Sequence, residues 1–289
     1  MSQEAELPFP TGTRGEEAEQ DPGALRQEIA RLRQDNADLR ERLHAHPPIS
    51  LAQGVLMERY RLPAPETAFA LLREASQRFN IKLHSLADAV VRTPDSQDAT
   101  TRLADQARLA PPPLPGLRVA SADQAHQGAV LTATLRHVLE ITQTDMGNVQ
   151  LAVGGRLRME KHTGLGREFT SFFAFVDSPT TSCAQAAEDR RQVTVRDVAT
   201  AEVFDEGSRR TILRAGSRAC HSVPLVNRAG VPIGMVSSHH DRPLTGFTQA
   251  QLDALQGTGI MVGRWLSWHR QTVVLDALAH LHTTATALR

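Results

Sequence analysis

A chain of 289 residues is long enough for two domains rather than one. Its 32 basic residues balance its 32 acidic ones, so bulk attraction to nucleic acid is excluded and any such binding needs a local patch. Two cysteines, Cys183 and Cys220, are too few for a disulfide framework and fit a reducing compartment. The start, MSQEAELPFP, lacks the charged and apolar regions of a signal peptide, and no apolar run approaches a membrane span. A soluble, cytoplasmic protein is expected.

Residues 1–23 are polar, acidic and broken by Pro and Gly, too poor in apolar surface to offset ordering, and are expected to be disordered. Residues 24–46 then change pattern. Leu25, Ile29, Leu32, Asn36, Leu39 and Leu43 alternate steps of four and three, which predicts a coiled coil. Leu at d, Ile at one a position and a register-fixing Asn36 at another favour a parallel two-stranded homodimer. Glu28 and Asp35 at g positions can reach Arg33 and Arg40 at e positions of the partner helix. The bland alternative is one amphipathic helix docked on its own domain.

The HPP run at 46–48 is expected to stop that helix. Three short helices follow over residues 47–92. The first spans about Ser50 to Tyr60 with Ala52, Val55 and Leu56 inward. The second opens near Pro65 and runs to about Phe79, burying Ala68, Leu71, Leu72, Ala75 and Phe79. The third covers about Leu83 to Val91, with Leu83, Leu86, Ala87, Val90 and Val91 inward. Residues 93–124, which contain PPPLP, read as a linker.

From 125 to 270 the order is helix, hairpin, helix, strands, hairpin, helix, an α+β domain with an antiparallel sheet. NVQLAV and LRMEKH make one hairpin across Gly154–Gly155, and ACHSVPLVN and VPIGMVSSHH the other. REFTSFFAFV reads as one helix with Phe169, Phe172 and Phe173 in its core stripe. The closing helix is capped by Thr248, and the tail 271–289 is read as its extension.

The segment ISLAQGVLMERYRLPAPETAFALLREASQRFNIKLHSLADAVV resembles the ANTAR family of RNA-binding antitermination modules. The likeness rests on Ala52, Gly54, Leu56 and Met57 in the first helix, and on Ala68, Phe69, Leu71, Leu72, Arg73, Ser76 and Asn80 in the second. Lys82, Leu83, Ala87 and Val90 carry it in the third. Gln53 stands where many members have Lys, which keeps the site polar but removes one phosphate-binding charge. Ala52 and Gly54 read as close helix packing and Met57 as core. From spacing alone, Arg73, Gln77 and Asn80 share one face of the second helix, with Arg78 and Lys82 nearby. From that spacing alone, such a face is more readily a solvated surface than a site for phosphates and splayed bases. The resemblance favours the second, and implies RNA contacts at Gln53, Arg73, Ser76, Gln77, Arg78, Asn80 and Lys82. It also implies a dimer that engages paired hairpins in a nascent transcript and so prevents an intrinsic terminator from forming. Against this stands a helix-turn-helix-like DNA-binding regulator, because three short helices and the FNIK turn permit one.

The second domain resembles a GAF domain on TDMGNVQL, HTGLGREFTSFFAFV, SCAQAAEDRRQVTVRDV and ACHSVPLVNRAGVPIGMVSSHHDRP. That implies a signal sensor with a possible small-molecule ligand, or a dimer scaffold without one, and leaves the cofactor unknown. Cys183 near a helix start could carry a lowered thiol pKa for redox sensing; a plain buried cysteine is the commoner case. His221 and His239 fall on adjacent strands. No metal site is expected from Cys183, Cys220, His221, His239 and His240. No nucleophile elbow, P-loop, kinase or metalloprotease motif occurs, so no catalytic residue is assigned and an enzyme is not expected.

Overall fold

The computed structural model describes Glu28, Arg31 and residues 48–93, 110–176 and 181–288. Two compact units divide the chain, Met1–Arg40 and Glu41–Arg289. In the first unit, Glu28 and Arg31 are helical and pair with each other, Arg31 Nη2 donating to Glu28 Oε1 at 2.6 Å. Glu28 therefore has a partner within its own helix as well as the cross-chain partner expected for it. The heptad residues Leu25, Ile29, Leu32, Asn36, Leu39 and Leu43 lie outside the described residues.

The second unit begins with a helical module. Helix α1 is described over residues 48–60, so Pro48 is already helical, as a proline in a first turn can be. Helix α2 is Pro65–Arg78 and α3 is Leu83–Arg92. Both turns between them have the same device. Arg61 (φ 54°) and Asn80 (φ 49°) adopt the left-handed conformation, and the following N–H groups bond back five residues, Leu62 to Met57 O and Ile81 to Ser76 O. Ala52, Leu56, Tyr60, Ala68, Leu71, Leu72, Ala75, Leu86, Ala87 and Val90 are buried, following the helical spacing. Val55, Phe79, Leu83 and Val91 are only partly buried.

The α+β part follows: α4 (Gln127–Thr142), β1 (Met146–Val153), β2 (Arg156–Thr163), α5 (Arg167–Phe172), β3 (Phe175–Val176), α6 (Ser182–Asp189), β4 (Val193–Val195), α7 (Glu206–Arg214), β5 (Ala219–Val226), β6 (Pro232–His240) and α8 (Gln249–Gln271). The six strands form one antiparallel sheet in the order β3-β2-β1-β6-β5-β4. Strand alternation sends Val149, Leu151, Val223, Leu225 and Val236 to a core under α4 and α8. Leu157, Cys220 and Met235 face the opposite core, under α5, α6 and α7. Helix α8 starts with a capping box, Thr248 Oγ1 accepting from the Gln251 N–H and Gln251 Oε1 accepting from the Thr248 N–H. It lies close on β5 because Gly259 and Gly263 have no side chain; a Cβ at Gly263 would overlap the Val226 carbonyl oxygen.

Three expectations change. The run REFTSFFAFV is not one helix: α5 ends at Phe172, and Phe175–Val176 pairs with β2 through Val176 opposite Leu157. Phe169 and Phe173 are buried as expected, but Phe172 is 37% exposed. The C-terminal residues do not extend α8. The chain breaks at Thr272 (φ −126°, ψ −78°) and starts a separate helix, α9 (Val273–Ala287). Its apolar stripe, Ala277, Leu278, Leu281 and Ala285, joins the core of α1, α2 and α3. The fold sends its last helix back onto its first module.

Candidate nucleic-acid interface

Residues named for the polar face of the helical module fall into three groups. Arg73, Gln77 and Arg78 are exposed on α2, where the helical repeat aligns them away from the buried stripe. The Arg78 guanidinium lies 5.9 Å from the Phe79 ring centroid, which holds it at the helix end. These three are free to meet a ligand. Gln53, Ser76 and Asn80 hold the module's own shape. Gln53 Nε2 donates to the Pro65 carbonyl at 3.0 Å, joining α1 to the start of α2. Ser76 Oγ donates to the Ile81 carbonyl at 2.6 Å across the α2–α3 turn, and Asn80 is that turn's left-handed residue, a conformation Asn tolerates. Lys82 stands apart. Its ammonium pairs with the Glu160 carboxylate of β2.

Gly54 corrects the packing expected of it. It is exposed, and a Cβ there would meet nothing within 4 Å, so no described helix approaches α1 at that point. Beside it Leu51 is 56% exposed. Ala52, by contrast, is fully buried as expected.

Glu160 and α9 are the contacts the sequence did not point to. Glu160 has 2% of its side chain exposed, against 46% for Lys82. His84 Nε2 is 3.5 Å from its Oε1, at the outer limit of a hydrogen bond, and Arg158 Nε is 3.9 Å away. Burial alone would raise the Glu160 carboxyl, but the adjoining His84 and Lys82 outweigh it and hold it below the usual carboxylate range. Burial is also the largest effect on His84 and keeps it below the usual histidine value despite Glu160. At neutral pH the contact is therefore Lys82 cation to Glu160 anion beside a neutral imidazole. From α9, His280 Nε2 is 3.0 Å from Glu74 Oε2 and its ring is 5.6 Å from Phe79. Tyr60 Oη and His282 Nδ1 are 2.9 Å apart. The one sequence signal for this docking is the spacing of Ala277, Leu278, Leu281 and Ala285, a stripe that demands a partner.

Inside the sheet domain, the face under α5–α7 carries a polar layer. Ser182 Oγ lies 3.2 Å from Ser222 Oγ, which is 2.9 Å from Ser237 Oγ. His239 spans Ser217 Oγ at 3.0 Å and Asn148 Oδ1 at 3.2 Å. Gln150 is buried with an Oε1 that has no hydrogen-bond partner among the described residues. Cys183 does sit at the second position of α6, but burial pushes its thiol up rather than down, with Thr181 offsetting only part. Burial pushes Cys220 up to about 12. Neither is poised as a thiolate, so the redox expectation for Cys183 has no electrostatic support. His221 and His239 do not converge. Each lies opposite the other strand's neighbour, Ser238 and Cys220, so they point to opposite faces, His221 toward Thr194 and Gln192. Among the described residues no cluster of His, Cys, Asp or Glu could hold a metal ion, and no helix is long and apolar enough to cross a membrane.

Family models match the two parts of this geometry in order: the ANTAR domain over residues 37–91 and the GAF domain over residues 128–264. The chain carries an ANTAR domain followed by a GAF domain. Its N-terminal part is thus an RNA-binding antitermination module and its second part a signal-sensing domain, both regulatory. No curated protein matches the chain in sequence. Among solved structures it is similar to a GAF/HD domain protein from Geobacter sulfurreducens, with 16% identity over 52% of this chain and 99% of that one (TM-score 0.43). It is also similar to the PixJ GAF domain from Thermosynechococcus elongatus, with 16% identity over 59% and 96% (TM-score 0.40). A free methionine-R-sulfoxide reductase from Neisseria meningitidis shares 16% identity over 60% and 86% (TM-score 0.41).

Proposed function

We propose that this ANTAR–GAF protein is a cytoplasmic, dimeric antitermination regulator whose ANTAR modules bind paired hairpins in a nascent transcript, with GAF input setting their availability. The observation that carries the RNA reading is the exposed polar edge of α2. Arg73, Gln77 and Arg78 face solvent while the rest of the module's stripe is buried. Guanidinium groups contact phosphate in two-pronged fashion and stack on unpaired bases, and the Gln amide reads base edges. The dimer reading is supported by the heptads that precede α1. Two modules side by side turn the second hairpin contact into an intramolecular step, which raises apparent affinity without any new contact. The sensor reading is supported by the polar interior beside Gln150, whose unpartnered oxygen is a ready acceptor for a small molecule. Crosslinking in cells with sequencing of the bound RNA tests the proposal. Recovery of paired stem-loops upstream of terminators is expected; preferential recovery of duplex DNA would overturn it in favour of a helix-turn-helix regulator.

A further inference from the structure

We infer that Glu160 of the GAF sheet is an internal competitor for the phosphate contact of Lys82, clamping the ANTAR module on the GAF domain until the sheet lets go. The inference rests on the RNA reading proposed above. It starts from a fault in the sheet. In the β1–β2 ladder Val149 pairs with Lys161 and Gln150 with Met159, which leaves Glu160 as the extra residue of a β-bulge. A bulge leaves its extra residue outside the regular backbone pairing. Here that residue carries a carboxylate on the same side of the strand as Arg158, 3.9 Å away, and it meets Lys82 and His84 at the start of α3. The burial is lopsided: Glu160 is enclosed, while Lys82 still reaches solvent.

That asymmetry decides what an RNA would find. A phosphate approaching Lys82 comes within a few ångströms of an ionised carboxylate that cannot turn away into water. Its attraction to the ammonium is offset by repulsion from Glu160. Arg73, Gln77 and Arg78 remain open, so the clamp weakens binding instead of abolishing it. Release does not set the module adrift, because α9 packs on α2 and α3 through the apolar stripe, the Tyr60–His282 contact and the Glu74–His280 contact. Gln150, with its unpartnered buried oxygen, pairs in the ladder with Met159, the residue before Glu160. A molecule taking that oxygen's hydrogen bond acts one residue from the bulge.

The test uses the full chain and a labelled RNA pool of tandem stem-loops with randomised loops, together with hydrogen exchange of α3. Glu160→Gln keeps the shape and removes the charge. It is expected to bind the pool on the order of three- to tenfold more tightly than the wild type, and to exchange faster in α3. Lys82→Glu alone should speed α3 exchange by repulsion. Combined with Glu160→Lys it should restore wild-type protection without restoring RNA binding. Unchanged α3 exchange in Glu160→Gln would overturn the clamp, and so would faster exchange with equal RNA affinity. If α3 loosens and no chain binds RNA at all, the RNA reading itself falls, and the competition with it.

Discussion

Leu281→Ala tests whether α9 belongs to the ANTAR module. Leu281 has 2% of its surface exposed and lies in the core formed with α1, α2 and α3. Truncating a buried leucine to alanine costs about 2–5 kcal/mol, the sum of lost transfer energy and the cavity left behind. The lower half of that range applies here. Helix α9 is joined to the rest of the chain only through Thr272, so it can shift toward the gap and close part of it. A loss of about 2–3 kcal/mol is a large share of a domain's total of about 5–15 kcal/mol. Urea unfolding of the full chain resolves it, because the two tryptophans, Trp265 and Trp268, both lie on α8 and report on the GAF core. Far-UV circular dichroism follows every helix. With a slope of about 1–3 kcal/mol per molar urea, the helical transition should move down by about 1–2 M and precede the tryptophan transition. Hydrogen exchange should show the loss in α2. A change below about 0.5 kcal/mol, the range of a neutral surface substitution, would refute the reasoning and make α9 a loosely held tail.

Other outcomes follow from the same geometry. Arg73→Ala and Arg78→Ala should each weaken hairpin binding about evenly across loop sequences and lower the salt slope by about 0.7–0.9, as expected for one lost phosphate contact, in filter binding at several salt concentrations. Lys82→Ala should change that slope less, because Lys82 already has Glu160 as counterion. Gly263→Ala should destabilise the GAF domain by about 3 kcal/mol or more, read as lost melting temperature, since the new methyl meets the Val226 backbone and not a movable side chain. Stability should fall on acidification. Burial lowers His239 to about 3 and His221 and His269 to about 4, so between the ordinary value of 6.5 and those values the unfolded chain binds protons that the folded chain refuses. Their contribution is therefore complete above about pH 6.5 and is lost as pH falls toward 4, with a slope of up to about 1.4 kcal/mol per unit for each group. Both ring nitrogens of His269 are buried without a partner among the described residues, and the ring stacks on Trp265 at 5.1 Å. His269→Phe should raise stability by about 1 kcal/mol at pH 7 and flatten the acid slope in urea titrations at pH 5 and 7.

What was readable in the sequence follows from how each element earns its place. Helices α1, α2 and α3 each bury one stripe, so spacing alone located them, and Asn80 marked the α2 end by its tolerance of a left-handed conformation. The long strands alternate and were equally legible. Helix α7 was not, because it is under three turns long and buries only three residues; of α6 only the start near Cys183 showed. The break at Thr272 has no Pro or Gly to announce it, only the β-branched run Thr272–Val273–Val274. What decides the break is the stripe of α9, which finds its partner in a module some two hundred residues earlier, and no local signal encodes that distance. Glu160 is the sharper case. In LRMEKH the alternation of Leu157, Met159 and Lys161 puts Glu160 on the other face of a regular strand with Arg158. That is where it lies, 3.9 Å from Arg158; the extra residue instead brings Lys161, paired with Val149, to the same face as Glu160. What periodicity does not show is that Lys82, 78 residues earlier in the chain, meets that carboxylate, a long-range contact with no local signal. It is also where a change in the GAF sheet could be felt by the ANTAR module at once, because Glu160 is the carboxylate that Lys82 pairs with.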